Sequence, residues 1–349
     1  MKVQSPPQLI EGLAEKRRNL AAWLNTASIN ERKICLGPAA EGAVQEHIHV
    51  IDEALQLAGS DSLGICKICG EQIEDRLLEM DFTAQVCLTH YTAEEARQLE
   101  NDLELTQAIQ RALLPHEPPD IPGLKLAAFS RPAQIISGDF FDFMQFQDGR
   151  MGIAIADAVG KGMPASLIMA SAQTALRTLV PMSNSPAEVL YKVNRLFAHN
   201  IHLTAFVTMF LGAYDHASHS LTYSNAGHNP PLVYCQGNGS GREMRQLLPG
   251  GAAIGLVENS EFREEKIHLQ PGDLALLYTD GVIEAFNDQH EQFDMSRLEE
   301  VLRQNTASSP KQLIRDLLDK LRVFTAGQPL ADDVTIIACR RINEARSGG

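Results

Sequence analysis

Aspartates end or interrupt four short apolar segments that lie far apart in the sequence, at residues 137–142, 151–157, 274–280 and 331–338. The last three segments are short, rich in β-forming residues and nearly free of other charges, which predicts buried strands. Carboxylates fixed at the ends of strands can meet at one place, so the segments predict a site for divalent cations. Oxygen ligands favour Mg²⁺ or Mn²⁺. Taken singly, each aspartate can also be explained as a turn former, because Asp-Gly is a common turn signal.

Two pairs of metal-ligand residues lie in the segment 64–91. Cys66 and Cys69 have two residues between them, Cys87 and His90 also have two, and seventeen residues separate the pairs. Paired ligands of this kind can close a tetrahedral Zn²⁺ site that leaves no position for water, so we predict one structural zinc ion. Chance thiols and a redox-active Cys-x-x-Cys are the alternatives.

The composition bounds the class of protein. The chain has 349 residues, 44% of them hydrophobic, and a net charge of -14, which does not favour a nucleic-acid partner. No stretch approaches the ~18 apolar residues of a membrane span, and the amino terminus has no apolar segment typical of an export signal. We therefore expect a cytoplasmic protein without a membrane-bound part.

The elements that position these residues follow from apolar periodicity. Residues 8–60 read as helical with a break at 37–38, and a charged helix is predicted at 92–114. Beyond residue 124 we expect strands at 124–130, 151–157, 205–214, 220–225, 231–235, 265–269, 273–279 and 333–340, and helices at 163–180, 186–200, 295–304 and 310–325. Successive strands without a helix between them indicate antiparallel sheets and an α+β class, plausibly a two-sheet sandwich flanked by helices.

The charged helix carries a heptad-like seam with two polar positions, formed by Ala96, Leu99, Leu103, Thr106, Gln110 and Leu113. One interpretation is an amphipathic helix that lies on its own domain. The other is a short coiled coil of a homodimer, in which Thr106 and Gln110 make the seam weak enough for a signal to re-pack it.

The Cys-rich segment resembles the zinc finger of the DksA/TraR group over roughly residues 10–95. Cys69-Gly70, Ile73 and Arg76-Leu77 stand where that pattern has them, whereas His90 replaces the usual fourth cysteine and Met80-Asp81 replaces a usual proline. The resemblance implies a zinc module after a helical stretch. It does not safely carry over RNA-polymerase binding, because a much larger domain follows.

Five downstream motifs, taken in order, resemble the SpoIIE/RsbU-type serine phosphatases of the metal-dependent PPM family over residues 108–340. They are the segment from ALLPHEPPDIPG to SGDFFDF, IADAVGKGMPASLIMA, SNAGHNPPLVY, LYTDGVIEAF and ADDVTIIA. The resemblance implies an αββα sandwich, a centre of two Mn²⁺ or Mg²⁺ ions, and phosphoserine or phosphothreonine substrates.

The resemblance also assigns roles to individual residues. Asp157 matches the bridging carboxylate, the Ala158 carbonyl a ligand of the second metal, and Asp280 a ligand of the first. Asp332 falls at the last ligand, with Asp333 as its neighbouring alternative, and Asp139 is the best candidate on the second metal, with Asp142 as a weaker one. Substrate-binding roles for Arg131, Gly160 and His228 are guesses. His228 can assist the leaving group or belong to a structural turn.

These observations combine into one hypothesis. Residues 1–91 form the zinc module, 92–117 a helical linker, 118–342 the phosphatase domain and 343–349 a disordered tail. By resemblance the substrate is a phosphorylated anti-sigma-factor antagonist with a STAS domain, and an upstream regulator acts on the amino-terminal module. The rivals are a phosphatase fold that only binds a partner, a regulator that acts through its zinc finger, and a switch in which the cysteines lose zinc on oxidation.

Overall fold

The structure, a computed structural model, describes residues 64–74, 77, 85–133, 135–159, 162–200, 206–236, 243–328, 330 and 332–343, with seven isolated positions between 14 and 56. These isolated positions are helical, and the Nε of Arg17 lies 2.7 Å from Oδ1 of Asp52. The two ends of the predicted helical region 8–60 therefore contact each other at this point. The break at 37–38 and residues 344–349 of the predicted tail lie outside the described residues.

The strands in the described ranges form two antiparallel five-stranded sheets. Sheet I has the order β1-β10-β9-β6-β7, and sheet II has the order β2-β3-β4-β5-β8. The bounds are β1 Leu124–Arg131, β2 Asp139–Gln145, β3 Met151–Ala158, β4 Val207–Asp215, β5 Ser220–Ala226, β6 Leu232–Cys235, β7 Glu243–Gln246, β8 Glu265–His268, β9 Leu274–Tyr278 and β10 Val334–Arg341.

The helices in the described ranges are α1 Ala93–Leu113, α2 Gly162–Leu179, α3 Pro186–Asn200, α4 Asp294–Gln304 and α5 Pro310–Phe324. Helices α2 to α5 cover the outer faces of the two sheets. Apolar side chains of α2 and α3 pack with sheet II, and those of α4 and α5 pack with sheet I. A third apolar cluster, which we call the inter-sheet layer, fills the space between the sheets. The predicted α+β class and αββα sandwich are confirmed.

The sequence of β3 explains its central place. The strand MGIAIADA carries one charge and is buried on both faces, with small alanines toward the helices and isoleucines toward the other sheet. Helix α2 packs against this strand through four residues at helical spacing that have no exposed surface: Ala165, Met169, Ala172 and Leu176. Small residues on both partners let the helix lie close to the strand that ends in Asp157.

Two strands were missed by the sequence prediction. The β2 sequence DFFDFMQ carries two aspartates within an apolar run, so its alternation does not read as an ordinary strand. The four residues of β7 pair with β6 at the edge of sheet I and are mostly exposed. Such an edge strand does not need the apolar pattern by which strands are detected.

The helix predicted at 92–114 is confirmed as α1, but the interpretation of its seam needs correction. The Thr106 hydroxyl donates to the Asp102 carbonyl within the helix, and the Gln110 side chain is buried against the chain's own loop at 135–137. Gln110 is therefore not a polar position in a seam between two chains. Within the described ranges, no helix combines the length and the apolar character that a membrane span requires.

Candidate metal centre

The inter-sheet layer becomes polar at one end, where strands from both sheets finish or begin. Strand alternation directs Asp139, Asp157 and Thr208 of sheet II into the layer, on the same face as Phe141, Ile155 and Phe210. The side chains of Ser130, Thr279 and Thr335 extend the inward-facing rows of sheet I in the same way. Aspartates from both sheets therefore lie at this end.

Asp139 and Asp157 are direct partners in the ladder between β2 and β3. Burial, then the charges of Asp157 and Asp333, raises the pKa of Asp139 well above its ordinary value. Burial and the charges of Asp280 and Asp332 raise the pKa of Asp157 to about 7. These shifts show that the carboxylates from distant segments interact, and that without a cation the site resists holding them all ionised.

A threonine from the opposite sheet fixes Asp139. The Thr279 hydroxyl donates to Oδ2 of Asp139 at 2.7 Å, while its oxygen accepts the Thr335 N–H at 3.0 Å. Because the Thr335 N–H occupies one acceptor position of the hydroxyl, the Thr279 proton is directed at Asp139. This contact crosses the inter-sheet gap and sets the carboxylate orientation.

Asp332 and Asp333 have different surroundings. Both oxygens of Asp333 accept hydrogen bonds from the loop before β2: Oδ1 from Ala133 N at 2.7 Å, and Oδ2 from Gly138 N at 2.7 Å and Ser137 Oγ at 2.8 Å. Asp333 therefore holds that loop against β10. This arrangement favours Asp332 over Asp333 as the predicted ligand.

Asp280 begins a single 3₁₀ turn, Asp280–Val282, directly after β9. The following Gly281 packs so closely on the chain before β10 that an added Cβ would overlap the Asp333 carbonyl. The Asp-Gly pair is thus explained by close packing of two segments that carry predicted ligands, as well as by the turn.

The remaining predicted site residues differ in their positions: Ala158 lies at the site, Gly160 is outside the described residues, and Arg131 lies elsewhere. Ala158 is the last residue of β3 and pairs with Val207. Helix α2 begins at Gly162, so its free N–H groups lie just beyond this strand, whereas Gly160 is outside the described residues. Arg131 is exposed at the end of β1 and lines a groove with residues of α5, on the helix-covered side of sheet I.

The structure argues against Asp142 as a metal ligand. This residue lies three positions after Asp139 on β2, so its side chain points to the opposite face of sheet II. There it accepts hydrogen bonds from Arg177 Nε at 2.6 Å and Gln173 Nε2 at 3.0 Å, both on α2. Asp142 therefore belongs to the packing between sheet and helix.

His228 is 2% exposed in the turn after β5, and this burial argues against contact with a leaving group from solvent. The structural alternative offered by the sequence fits this placement better.

The four predicted zinc ligands converge. The ligand atoms of Cys66, Cys69, Cys87 and His90 all lie within 4.8 Å of one another. The Sγ atoms of Cys69 and Cys87 are 3.6 Å apart, near the ~3.8 Å expected for two sulfurs that are each ~2.3 Å from a tetrahedral zinc. His90 Nε2 is buried and has no hydrogen-bond partner among the described residues. This donor set fits zinc.

Helix α1 contacts the loop that precedes Asp139. Gln110 Nε2 donates to the Ser137 carbonyl at 2.6 Å, and Gln110 Oε1 accepts the Ser137 N–H at 2.9 Å. Gln107 donates to the Ile135 carbonyl at 2.9 Å. The same loop is thus held by α1 on one side and by Asp333 on the other.

Sequence reasoning missed Thr208, Thr279, Thr335 and the local role of Gln110. For Thr279 and Thr335 the available signal was a threonine one or two residues from an aspartate in an otherwise apolar strand, as in LLYTD and DDVT. A polar side chain at such a position needs a buried partner.

Comparisons with known proteins agree with this geometry. Residues 147–342 match the family described as Stage II sporulation protein E (SpoIIE). The chain is 29% identical over 276 residues to the phosphoserine phosphatase RsbU of Bacillus subtilis (strain 168), covering 77% of this chain and 81% of that protein.

Two solved structures share the fold. The SiaA-PP2C domain of Pseudomonas aeruginosa superposes with a TM-score of 0.60 at 22% identity, over 71% of this chain and 99% of that one. The RsbU and RsbW domains of Rv1364c from Mycobacterium tuberculosis give a TM-score of 0.52 at 29% identity, over 65% of this chain and 62% of that one. With the matched residues spanning both sheets and most of the carboxylate site, the chain belongs to the SpoIIE family of PPM serine phosphatases.

Proposed function

We propose that the chain hydrolyses phosphoserine or phosphothreonine on a regulatory protein, with two Mg²⁺ or Mn²⁺ ions held by Asp139, Asp157, Asp280, Asp332 and the Ala158 carbonyl. The observation that carries the proposal is the convergence of carboxylates from both sheets, which raises the pKa values of Asp139 and Asp157. Oxygen donors of this kind suit Mg²⁺ and Mn²⁺.

The chain's residues have distinct tasks in this proposal. When bound, the cations supply charge that offsets the phosphoryl group and lowers the pKa of water. Asp139 and Asp157 orient the cations from sheet II, and Asp280 and Asp332 from sheet I. The N–H groups at the start of α2 lie beyond β3 and offer an anion a place to bind, with Gly160 as a proposed additional contact. Arg131 does not serve this role, because it lies on the helix-covered side of sheet I. A protein nucleophile is not required.

The proposed substrate is a phosphorylated anti-sigma-factor antagonist of the STAS type. The support is the family resemblance of residues 108–340 and the 29% identity to RsbU. The alternative, a fold that only binds a partner, does not explain the site. Buried carboxylates that repel one another reduce stability unless a cation offsets their charge.

We further propose that residues 1–91 form a zinc module and residues 92–117 a linker to the phosphatase domain at 118–342. Backbone N–H groups support zinc ligation, since Ile68 N and Cys87 N both donate to Cys66 Sγ at 3.4 Å. An upstream regulator acts on this module, and the linker passes its effect to the loop at 135–138 through Gln107 and Gln110.

The homodimer proposed through residues 92–114 needs a different contact surface from the predicted seam. In α1, Leu105 and Ile109 are 61% and 54% exposed and lie four residues apart on one helical face. That face points away from Gln110 and is the surface we assign to the second copy.

Phosphate release from a phosphoserine-bearing STAS-domain protein tests the enzymatic proposal. We expect release to require added Mn²⁺ or Mg²⁺ and to fall about 100-fold or more in Asp157→Asn, because a metal ligand is lost. Asp142→Asn is the matched control on β2, since it faces α2, and it should keep the metal dependence. Metal-independent release, or an active Asp157→Asn variant, contradicts the proposed centre.

The same Asp157→Asn variant should be more stable than the wild type when no Mn²⁺ or Mg²⁺ is added. Folding raises the pKa of Asp157 to about 7, so the folded state binds its proton more tightly than the unfolded state, and stability falls as pH rises from about 4 to about 7. We expect a gain of about 1–3 kcal/mol at pH 7.5 that shrinks toward pH 4, measured by urea unfolding. A less stable variant at pH 7.5 would show that repulsion at this site is unimportant.

Elemental analysis tests the zinc module. The purified chain should hold one zinc ion, and both Cys69→Ser and His90→Ala should lose most of it because a structural site needs all four ligands. The half-buried Cys235 lies in β6, away from the cluster, so Cys235→Ser is the control that keeps zinc. Zinc that persists in the ligand variants places the ion elsewhere.

Paired variants of α1 separate the contact within the chain from the proposed dimer surface. Gln110→Leu removes both hydrogen bonds to Ser137 and should reduce metal-dependent turnover about tenfold without changing the molar mass in solution. Ile109→Glu should lower the molar mass from dimer to monomer, as read by light scattering. If Gln110→Leu and the wild type have equal turnover, the contact between α1 and the loop before β2 does not influence the site.

A further inference from the structure

The segment Asn-Ala-Gly-His-Asn-Pro-Pro at 225–231 carries the chain from sheet II to sheet I. Strand β5 ends at Ala226, and β6 begins at Leu232. None of the proposed metal ligands lies in this segment. Its histidine is nevertheless 2% exposed and lies at the polar end of the inter-sheet layer. Its residues have specific contacts that fix the histidine ring.

Asn225 holds the peptide groups of His228. Its Oδ1 accepts the His228 N–H at 2.8 Å, and its Nδ2 donates to the His228 carbonyl at 3.1 Å. The same Nδ2 donates to the Leu247 carbonyl at 3.1 Å. Since Asn225 is fully buried, these bonds fix the backbone from which the ring projects.

Gly227 allows the tight turn between these two residues. Its φ is +66°, and an added Cβ would come within 3.0 Å of the Ala253 backbone nitrogen. Both the left-handed conformation and the close approach of a neighbouring segment require glycine here. The motif is therefore built to place the His228 ring.

One side of the ring contacts the strand beside Asp157. His228 Nδ1 lies 2.8 Å from the Thr208 hydroxyl oxygen. Thr208 is the direct partner of Asp157 in the ladder between β3 and β4, so their side chains share the inward face. The imidazole therefore restricts the position of the Thr208 side chain, which lies beside Asp157.

The chain after His228 joins sheet I. Continuing the β6–β9 register from Leu232 and Leu276 by two residues places Pro230, two residues after His228, opposite Tyr278. Nε2 is buried and makes no hydrogen bond of ordinary geometry among the described residues. Burial lowers the pKa of His228 to about 4. The ring is therefore neutral, with one donor nitrogen and one acceptor nitrogen.

We infer that His228 is a positioning residue for the proposed metal centre, which fixes Thr208 beside Asp157 on sheet II from the turn that leads into sheet I. The inference rests on the proposed function. Thr279 separately connects the sheets at Asp139. His228 acts through Thr208 on the surroundings of Asp157 and does not touch the substrate.

Isothermal titration of the full chain with Mn²⁺ tests this role. His228→Leu fills the space without hydrogen bonds, and we expect Mn²⁺ to bind about 10–100 times more weakly, the usual effect of losing a group that orients a ligand. Thr208→Val, which is nearly isosteric, should weaken binding in the same direction. His228→Gln, which offers both a donor and an acceptor, should recover part of the loss.

A purely structural histidine would give a different result. Asp273 lies at the far end of β9, where its carboxylate accepts the N–H groups of Gln236 and Gln270 at 2.9 and 2.7 Å, so Asp273→Asn is the control for general destabilisation. We expect this control to lower the melting temperature and leave Mn²⁺ affinity unchanged.

The outcomes separate the inference from the proposal beneath it. If the wild type and Asp157→Asn bind Mn²⁺ equally well, the proposed metal centre itself is overturned. If Asp157→Asn loses Mn²⁺ binding but Thr208→Val and His228→Gln both bind Mn²⁺ as tightly as the wild type, only the role of His228 is overturned. If His228→Leu does not fold, the other two variants still decide the question.

Discussion

Repulsion between buried carboxylates is the constraint on which the architecture of the site depends. Both sheets deliver aspartates to one end of the inter-sheet layer, where burial and mutual charge raise the pKa values of Asp139 and Asp157. Fixed donors relieve part of this cost: a threonine hydroxyl faces Asp139, and two N–H groups and a serine face Asp333. Divalent cations are the natural complement to the charge that remains.

The donors also connect the site to the rest of the chain. The loop at 132–138 donates to Asp333, and the same loop is held on its other side by Gln107 and Gln110 of α1. Displacement of α1 would therefore act on the residues directly before Asp139. This contiguous set of hydrogen bonds gives the proposed regulation a physical route, which a shared coiled-coil seam would not by itself provide.

Two sets of proposed metal ligands with opposite chemical character occur in one chain. The cluster of three thiols and an imidazole is compact and complete, as suits a structural zinc ion. The carboxylate set is spread over four segments and two sheets, as suits hard cations that keep water and substrate among their ligands. The first set needs only a local turn to form, whereas the second needs the whole sandwich.

This difference explains how much the sequence determined. The cluster of three cysteines and a histidine, the strands at Met151–Ala158 and Leu274–Tyr278, the helices and the sandwich were predictable, because spacing and apolar period are local properties. Only the tertiary structure decided that Asp142 faces α2, that Asp333 holds a loop and that Gln110 lies inside its own chain, because strand register and long-range hydrogen bonds select among chemically similar residues. The position of His228 between the two sheets is of the same kind: a motif shows that a turn is special, and the folded neighbours show what it positions.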